Sequence, residues 1–270
     1  MTRPVPTVEF SSLVYGQGGV PLDDPAETFH EASRLYPHLA PGRLTTLLAL
    51  GASPELQQTV ARSSRTHRHR PAIQLPPSAL PRRAFREVLA ERHSGLAERR
   101  RPLTVPELAT VLGSSYAASS RVPGTTRRPV PSGGALYPLE LYVIALAIDE
   151  VEPGVSHYDP FRHRLELLAP LDPDRVAAAL VDPTLLGRAS AVIVVTGLFW
   201  RSRFKYGTRG YRFVLLEAGH LIQNAVLAAA ALRLLALPLG GFYDRRLDEL
   251  VGADGLDEAS VYAVLIGGRE

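Results

Sequence analysis

The stretch from Arg212 to Leu235 constrains the fold of this chain more than any other, because polar side chains are so rare in it. Glu217, His220, Gln223 and Asn224 are its few polar interruptions, and its length and composition predict one long helix. A helix that is apolar around most of its circumference must be buried, either in a large core or at a subunit interface. Its apolar run from Ala225 to Leu237 is broken by Arg233 and is too short to span a bilayer. The rest of the chain therefore has to supply a core around this helix.

Three other apolar runs have strand length: Leu139 to Ile148, Ala191 to Leu198 and Ser260 to Ile266. A hairpin is expected where His157-Tyr158-Asp159-Pro160 turns into Arg164 to Leu168. Helices are expected from Phe85, from Pro102 to Gly113, after Asp172-Pro173, and from Asp244 to Val251. In the second of these, Thr104 and Glu107 have the spacing of a capping box. Strands and helices alternate imperfectly, which predicts an α+β architecture with a mostly antiparallel sheet flanked by helices. Residues 1–81 have a different texture, punctuated by Pro, Ser and His, and read as an N-terminal extension packing on a core domain of residues 82–270.

Composition removes several kinds of chemistry. The chain has no cysteine, so disulfides, thiolate metal sites and cysteine nucleophiles are excluded. His67 and His69 lie in an arginine-rich loop with no third ligand, so no metal site is expected. The net charge is +3 and the arginine clusters lack interleaved aromatics, which argues against a nucleic-acid partner. No apolar segment follows Met1-Thr2-Arg3-Pro4, so a cytoplasmic protein without membrane contact is expected. There is no dinucleotide fingerprint, phosphate-binding loop or nucleophile elbow.

Four segments retain chemical potential. Arg92-His93-Ser94 places a guanidinium and a hydroxyl beside Gly95, a combination suited to phosphate or to a solvated helix end. Pro131-Ser132-Gly133-Gly134-Ala135 runs through Leu136-Tyr137-Pro138 into a core strand, a small-residue turn able to bring backbone against a flat ligand. Pro238-Leu239-Gly240-Gly241-Phe242 is expected to end the long helix. Arg269 closes the last strand, in reach of a phosphate or as a frayed tail. A fifth feature is compositional. The 30 cationic residues include one lysine, Lys205, and it stands next to Tyr206. Lysine shifts its pKa readily when desolvated whereas arginine does not, so Lys205-Tyr206 reads either as an acid–base pair or as a solvated lysine.

Taken in order, the Arg-x-Ser segment, the Pro-Ser-Gly-Gly turn, Glu217-Ala218-Gly219-His220-Leu221-Ile222-Gln223-Asn224 and the Pro-Leu-Gly-Gly-Phe segment resemble the nitroreductase-like FMN flavoproteins. Within them they resemble the SagB-type, microcin-synthase-like azoline dehydrogenases. The resemblance covers roughly residues 82–270, and the segment Phe29 to Ser33 looks like the leading part of the same subgroup. It implies an FMN-binding homodimer with the flavin between subunits. Arg92 and Ser94, with His93 between them, would hold the phosphate and ribityl chain. Pro131, Ser132, Gly133 and Ala135 of the other subunit would line the isoalloxazine. Glu217 would approach the ring edge, Gly240 and Gly241 the reactive face, and Arg269 the phosphate. Lys205 and Tyr206 would be the catalytic pair, with either one as the base and Tyr206 depending on a nearby ammonium to lower its phenol pKa. The implied reaction oxidises thiazoline or oxazoline rings of a ribosomally made peptide, in possible complex with a cyclodehydratase. Two alternatives are a small-molecule oxidoreductase using a nicotinamide donor and a non-catalytic subunit of a peptide-modifying complex.

Overall fold

The structure, a computed structural model, describes residues 24–37, 53, 55, 64–119 and 126–268. The chain divides into two compact units, Met1–Leu44 and Thr45–Glu270. In the first, helix α1 (Pro25–Ala32) starts at Asp24, whose carboxylate accepts the Ala26 N–H at 2.7 Å, and none of its residues is buried.

The second unit is built on a seven-stranded sheet: β1 (Ala72–Gln74), β2 (Leu139–Ala145), β3 (Gly154–Asp159), β4 (Arg164–Pro170), β5 (Ala191–Leu198), β6 (Leu235–Leu239) and β7 (Glu258–Gly267). The order is β1-β4-β3-β2-β5-β7-β6, and every pairing is antiparallel. Strand β1 comes from the stretch before residue 82. Helices α2 (Phe85–Glu91), α3 (Val105–Tyr116) and α6 (Arg209–Ala231) lie on one side, and α4 (Pro173–Ala179) and α7 (Asp244–Val251) on the other. Period-two alternation divides each central strand between two cores. Leu139, Leu141 and Val143 pack with α3 and α6, while Tyr142 and Ile144 pack with α4 and α7. Coverage on both faces is why β2 and β5 read as continuous apolar runs. The Thr104–Glu107 capping box is formed in both directions at the start of α3.

The long helix is shorter than its sequence predicts. It ends at Ala231, and the residues from Leu235 onward form edge strand β6. A Schellman closure makes the stop: Leu234 N–H reaches Ala229 C=O at 2.8 Å and Arg233 N–H reaches Ala230 C=O at 3.0 Å. Arg233 occupies the left-handed position, at φ +60°, that glycine usually takes. The apolar run continues through this change of structure and conceals it. The Pro238-to-Phe242 segment therefore ends a strand rather than the helix, and Pro238 sits where an edge strand tolerates its missing N–H.

Beyond Tyr142, the α4–α7 face of the sheet becomes polar. His157 is fully buried between Glu140 (2.9 Å) and Glu166 (3.4 Å). Residues 64–67 cross this network: Ser64 Oγ and Arg65 N donate to Glu140, and His67 N donates to Glu166. Arg201 in the short helix α5 (Trp200–Tyr206) donates to Glu140 Oε1 at 2.7 Å. Burial alone would raise the Glu140 carboxyl, but the His157 hydrogen bond and the Arg201 charge override it and hold it at about 2.

Candidate active site

Residues 131–135 enter β2 through a 3-10 turn, Gly133–Ala135, with Gly134 at φ +67° and Ala135 at φ +54°. Tyr137 is also left-handed, at φ +46°. These conformations cost L-residues energy, and local bonds hold them. Tyr137 N–H donates to Ser132 Oγ at 2.9 Å, Ala135 N–H to Ser132 C=O at 3.0 Å, and Arg128 N–H to the Tyr137 hydroxyl at 3.2 Å.

Helix α5 brings the Lys-Tyr pair against this turn. A Cβ on Gly134 would lie 2.6 Å from Tyr206 Oη and 2.8 Å from Lys205 Nζ. The bare glycine thus admits both polar tips to the turn's backbone. Tyr206 packs edge-on against Phe213 of α6, with ring centroids 4.8 Å apart, and Phe213 also flanks Gly133. Burial pushes the Tyr206 phenol up from its ordinary value, and Lys205 Nζ lies 5.4 Å from its ring centroid.

Glu217 lies on the next turn of α6 and is 2% exposed. Tyr116 donates to its Oε1 at 2.9 Å, while Oε2 is buried without a hydrogen bond. Burial raises this carboxyl to about 7, with the Ser132 hydroxyl, the Tyr116 hydrogen bond and the Arg128 charge pulling the other way. Pro131, Ser132, Gly133, Phe213, Leu216, Glu217 and His220 together line a cavity of about 240 Å³.

The remaining expected residues stand elsewhere. Arg92 caps the end of α2, and His93 Nδ1 lies 3.0 Å from Glu91 C=O. Ser94 forms a parallel bridge with Ala236 of β6. Ala236 pairs with Ile266, which pairs with Ala191, which pairs with Ala145 at the far end of β2 from the turn. At about 3.3 Å per residue, the length of β2 puts roughly 20 Å between the two groups along the strand direction. Gly240 and Gly241 follow β6, which runs back towards the turn's end of the sheet but lies three strands across from β2, and Gly241 C=O accepts Val181 N–H at 3.0 Å. One chain therefore does not bring Arg92, His93 and Ser94 to the turn, and Gly240 and Gly241 are separated from it across the width of the sheet. Arg269 lies outside the described residues. Among the described residues, no cluster of three or more His, Cys, Asp or Glu side chains suits a metal ion.

Gly134, Tyr116, Arg128 and Phe213 join the site without being among the residues expected from the sequence. Gly134 lies inside the Pro-Ser-Gly-Gly motif, between Gly133 and Ala135. Tyr116 and Arg128 carry no local signal, because their role arises only when α3 and the loop before the turn close over α6.

Comparison with known proteins adds to this geometry. The nitroreductase family model matches residues 96–268. A Methanocaldococcus jannaschii protein bearing a nitroreductase name is 34% identical over 168 residues, covering 61% of this chain and 82% of its own. The microcin B17-processing protein McbC of Escherichia coli is 35% identical over 144 residues, 51% of this chain and 53% of its own. The trifolitoxin-processing protein TfxB of Rhizobium leguminosarum is 36% identical over 122 residues, 40% of this chain and 31% of its own. The match thus spans about half of McbC and about a third of TfxB. Among solved structures, a nitroreductase-named protein of Anabaena variabilis shares the fold, with TM-score 0.65 and 24% identity over 89% of this chain and 45% of that one. A chain of the E. coli microcin synthetase McbBCD complex with truncated pro-MccB17 bound aligns at TM-score 0.58 and 25% identity, covering 83% of this chain and 91% of that one. The chain belongs to the nitroreductase family.

Proposed function

We propose that this chain is an FMN-dependent dehydrogenase that oxidises thiazoline or oxazoline rings to thiazoles or oxazoles in a ribosomally made peptide. The observation that carries the reading is the meeting of Lys205 and Tyr206 at Gly134, beside the Glu217 cavity. Dehydrogenating an azoline removes a proton from one ring carbon and a hydride from its neighbour. The first task needs a base next to a hydride acceptor, and the Lys205–Tyr206 pair at the turn supplies two groups for it, one as the base and the other orienting the ring by a hydrogen bond.

The residues present fit FMN. A cavity wall of proline, glycine and phenylalanine suits a flat ring, and the Glu217 carboxyl supplies a polar edge. Arg92 and Ser94, with His93, would hold the phosphate and ribityl chain. Bound there, FMN supplies hydride acceptance, with dioxygen as final oxidant. The separation of the two residue groups within one chain supports a homodimer, each site taking Arg92 and Ser94 from one subunit and the turn from the other. Leu215 and Leu216, 42% and 59% exposed on α6, give such a dimer an apolar contact. A heterocycle-bearing peptide and a cyclodehydratase are the partners this reaction requires, and the likeness to peptide-processing relatives favours them.

Mass spectrometry of a heterocyclised precursor incubated with the protein tests the reading. A loss of about 2 Da per ring is expected, for the two hydrogens removed. Rapid NAD(P)H turnover without peptide, and no mass change, would instead favour a small-molecule oxidoreductase. A colourless protein that cannot be reconstituted with FMN would favour a non-catalytic subunit.

A further inference from the structure

The two carboxyl oxygens of Glu217 have unlike surroundings. Oε1 accepts the Tyr116 hydroxyl; Oε2 is buried and among the described residues completes no hydrogen bond, with the Ser132 hydroxyl the polar group standing near the carboxyl. The Tyr116 oxygen itself accepts the backbone N–H of Leu139 at 3.2 Å, so its one hydrogen is committed to Glu217. With that hydrogen aimed at Oε1, a proton on the carboxyl has to reside on Oε2. Glu217 is also part of the wall of the 240 Å³ cavity beside the turn.

Arg128 stands behind this arrangement. It is 6% exposed, and its guanidinium lies 4.1 Å from the Tyr116 ring centroid and 5.1 Å from that of Tyr137. Among the described residues its three side-chain nitrogens have no hydrogen-bond partner and it forms no ion pair. A buried cation over a phenol ring is held by the ring's negative face and makes the hydroxyl a stronger donor. The one guanidinium therefore secures both the tyrosine that holds Glu217 and the tyrosine that closes the Ser132 turn.

We propose that Glu217 is a proton-holding group that presents one exchangeable proton from Oε2 to the occupant of the cavity, and that Tyr116 and Arg128 are positioning residues that keep the proton on that oxygen. The protonated carboxyl donates to an acceptor atom on a ring edge, and the ionised form accepts from a ring N–H. The ionisable and charged groups facing it are Tyr116 from α3, Arg128 from the loop before the turn and His220 from its own helix, with the Ser132 hydroxyl alongside. Burial raises the carboxyl to about 7, so both forms are populated at neutral pH. The inference rests on the proposed site for its occupant, but its test needs neither azoline peptide nor turnover.

The test is chemical unfolding of the full chain from pH 4.5 to 8, for the wild type, Glu217→Gln and Tyr116→Phe. A carboxyl raised from 4.5 to about 7 keeps its proton in the folded state and loses it in the unfolded state within that window. Folding is therefore favoured most below pH 4.5 and weakens as pH rises through about 7. Over this window the wild-type folding constant should fall about 150-fold more than that of Glu217→Gln. Tyr116→Phe, which loses only the hydroxyl, should move the midpoint upward; a purely structural role would lower stability evenly and leave the midpoint in place. Parallel pH curves for wild type and Glu217→Gln overturn the proposal. If Glu217→Gln does not fold, infrared spectra of the wild type decide: a carboxylic-acid carbonyl band of about one group per chain at pH 6.5, where ordinary carboxyls are ionised, that disappears by pH 9 supports it, and no such band overturns it. Azoline oxidation could fail with these results unchanged, so the two readings fail separately.

Discussion

Gly134→Ala tests whether the Lys-Tyr pair works against the Pro-Ser-Gly-Gly turn. The new Cβ would lie 2.6 Å from Tyr206 Oη and 2.8 Å from Lys205 Nζ, where ordinary contact begins near 3.4 Å. The two tips must therefore retreat by about 0.8 and 0.6 Å, which flexible side chains can do cheaply. The backbone cost is also small. An L-residue at φ +67° loses about 1–2 kcal/mol, offset by about 0.4–1 kcal/mol from the stiffer unfolded chain. Ala135 already tolerates φ +54° next door. A net loss of about 1 kcal/mol, or about 2–4 °C in Tm, is expected. Catalysis is far less forgiving, since a displacement of about 1 Å can cost about 10²-fold in rate. Azole formation followed by mass spectrometry should fall roughly 10- to 100-fold while the flavin-to-protein ratio stays at the wild-type value. A folded, flavin-loaded Gly134→Ala protein with a rate within about twofold of wild type would refute the argument that the pair acts at this turn.

Four other outcomes are expected. Lys205→Ala and Tyr206→Phe should each retain FMN yet form azole about a hundredfold more slowly, and wild-type rates in both would remove the pair from the mechanism. Arg92→Ala should lower the flavin-to-protein ratio after gel filtration, and an unchanged ratio would count against its phosphate role. Glu140, held at about 2 against an ordinary 4.5, contributes about 3 kcal/mol that is present above pH 4.5 and lost as pH falls through 2. Urea unfolding should therefore show Glu140→Gln well below wild type at pH 7, with the two converging near pH 2; a constant gap would contradict this. Arg233→Gly should raise stability by about 1 kcal/mol by relieving a left-handed arginine at the Schellman closure, and an unchanged or lower Tm would show that the arginine side chain compensates.

Local chemistry and periodicity carry a great deal of this molecule. The Thr104–Glu107 cap, the β3–β4 hairpin, the largely apolar strand β5 and the helix after Asp172-Pro173 all appear as the residues predict. Each depends on neighbours a few positions away, so a linear reading can find it. The chemistry-bearing segments were legible for the same reason, since small-residue turns and a solitary lysine are local features. Contacts between distant segments were not legible. Whether the apolar run after Ala231 continues as helix or turns into an edge strand is decided by β7, which offers β6 a pairing edge. Tyr116 and Arg128 became part of the site only through packing that joins residues up to about a hundred positions apart, as in the Tyr116–Glu217 bond. Burial, which no single sequence position specifies, pushes Tyr206 up and brings Glu217 to about 7. The sequence by itself determined which residues carry ionisable groups and which segments form small-residue turns. The tertiary structure decided which of them meet, because desolvation and hydrogen bonding depend on what closes over a side chain rather than on what precedes it.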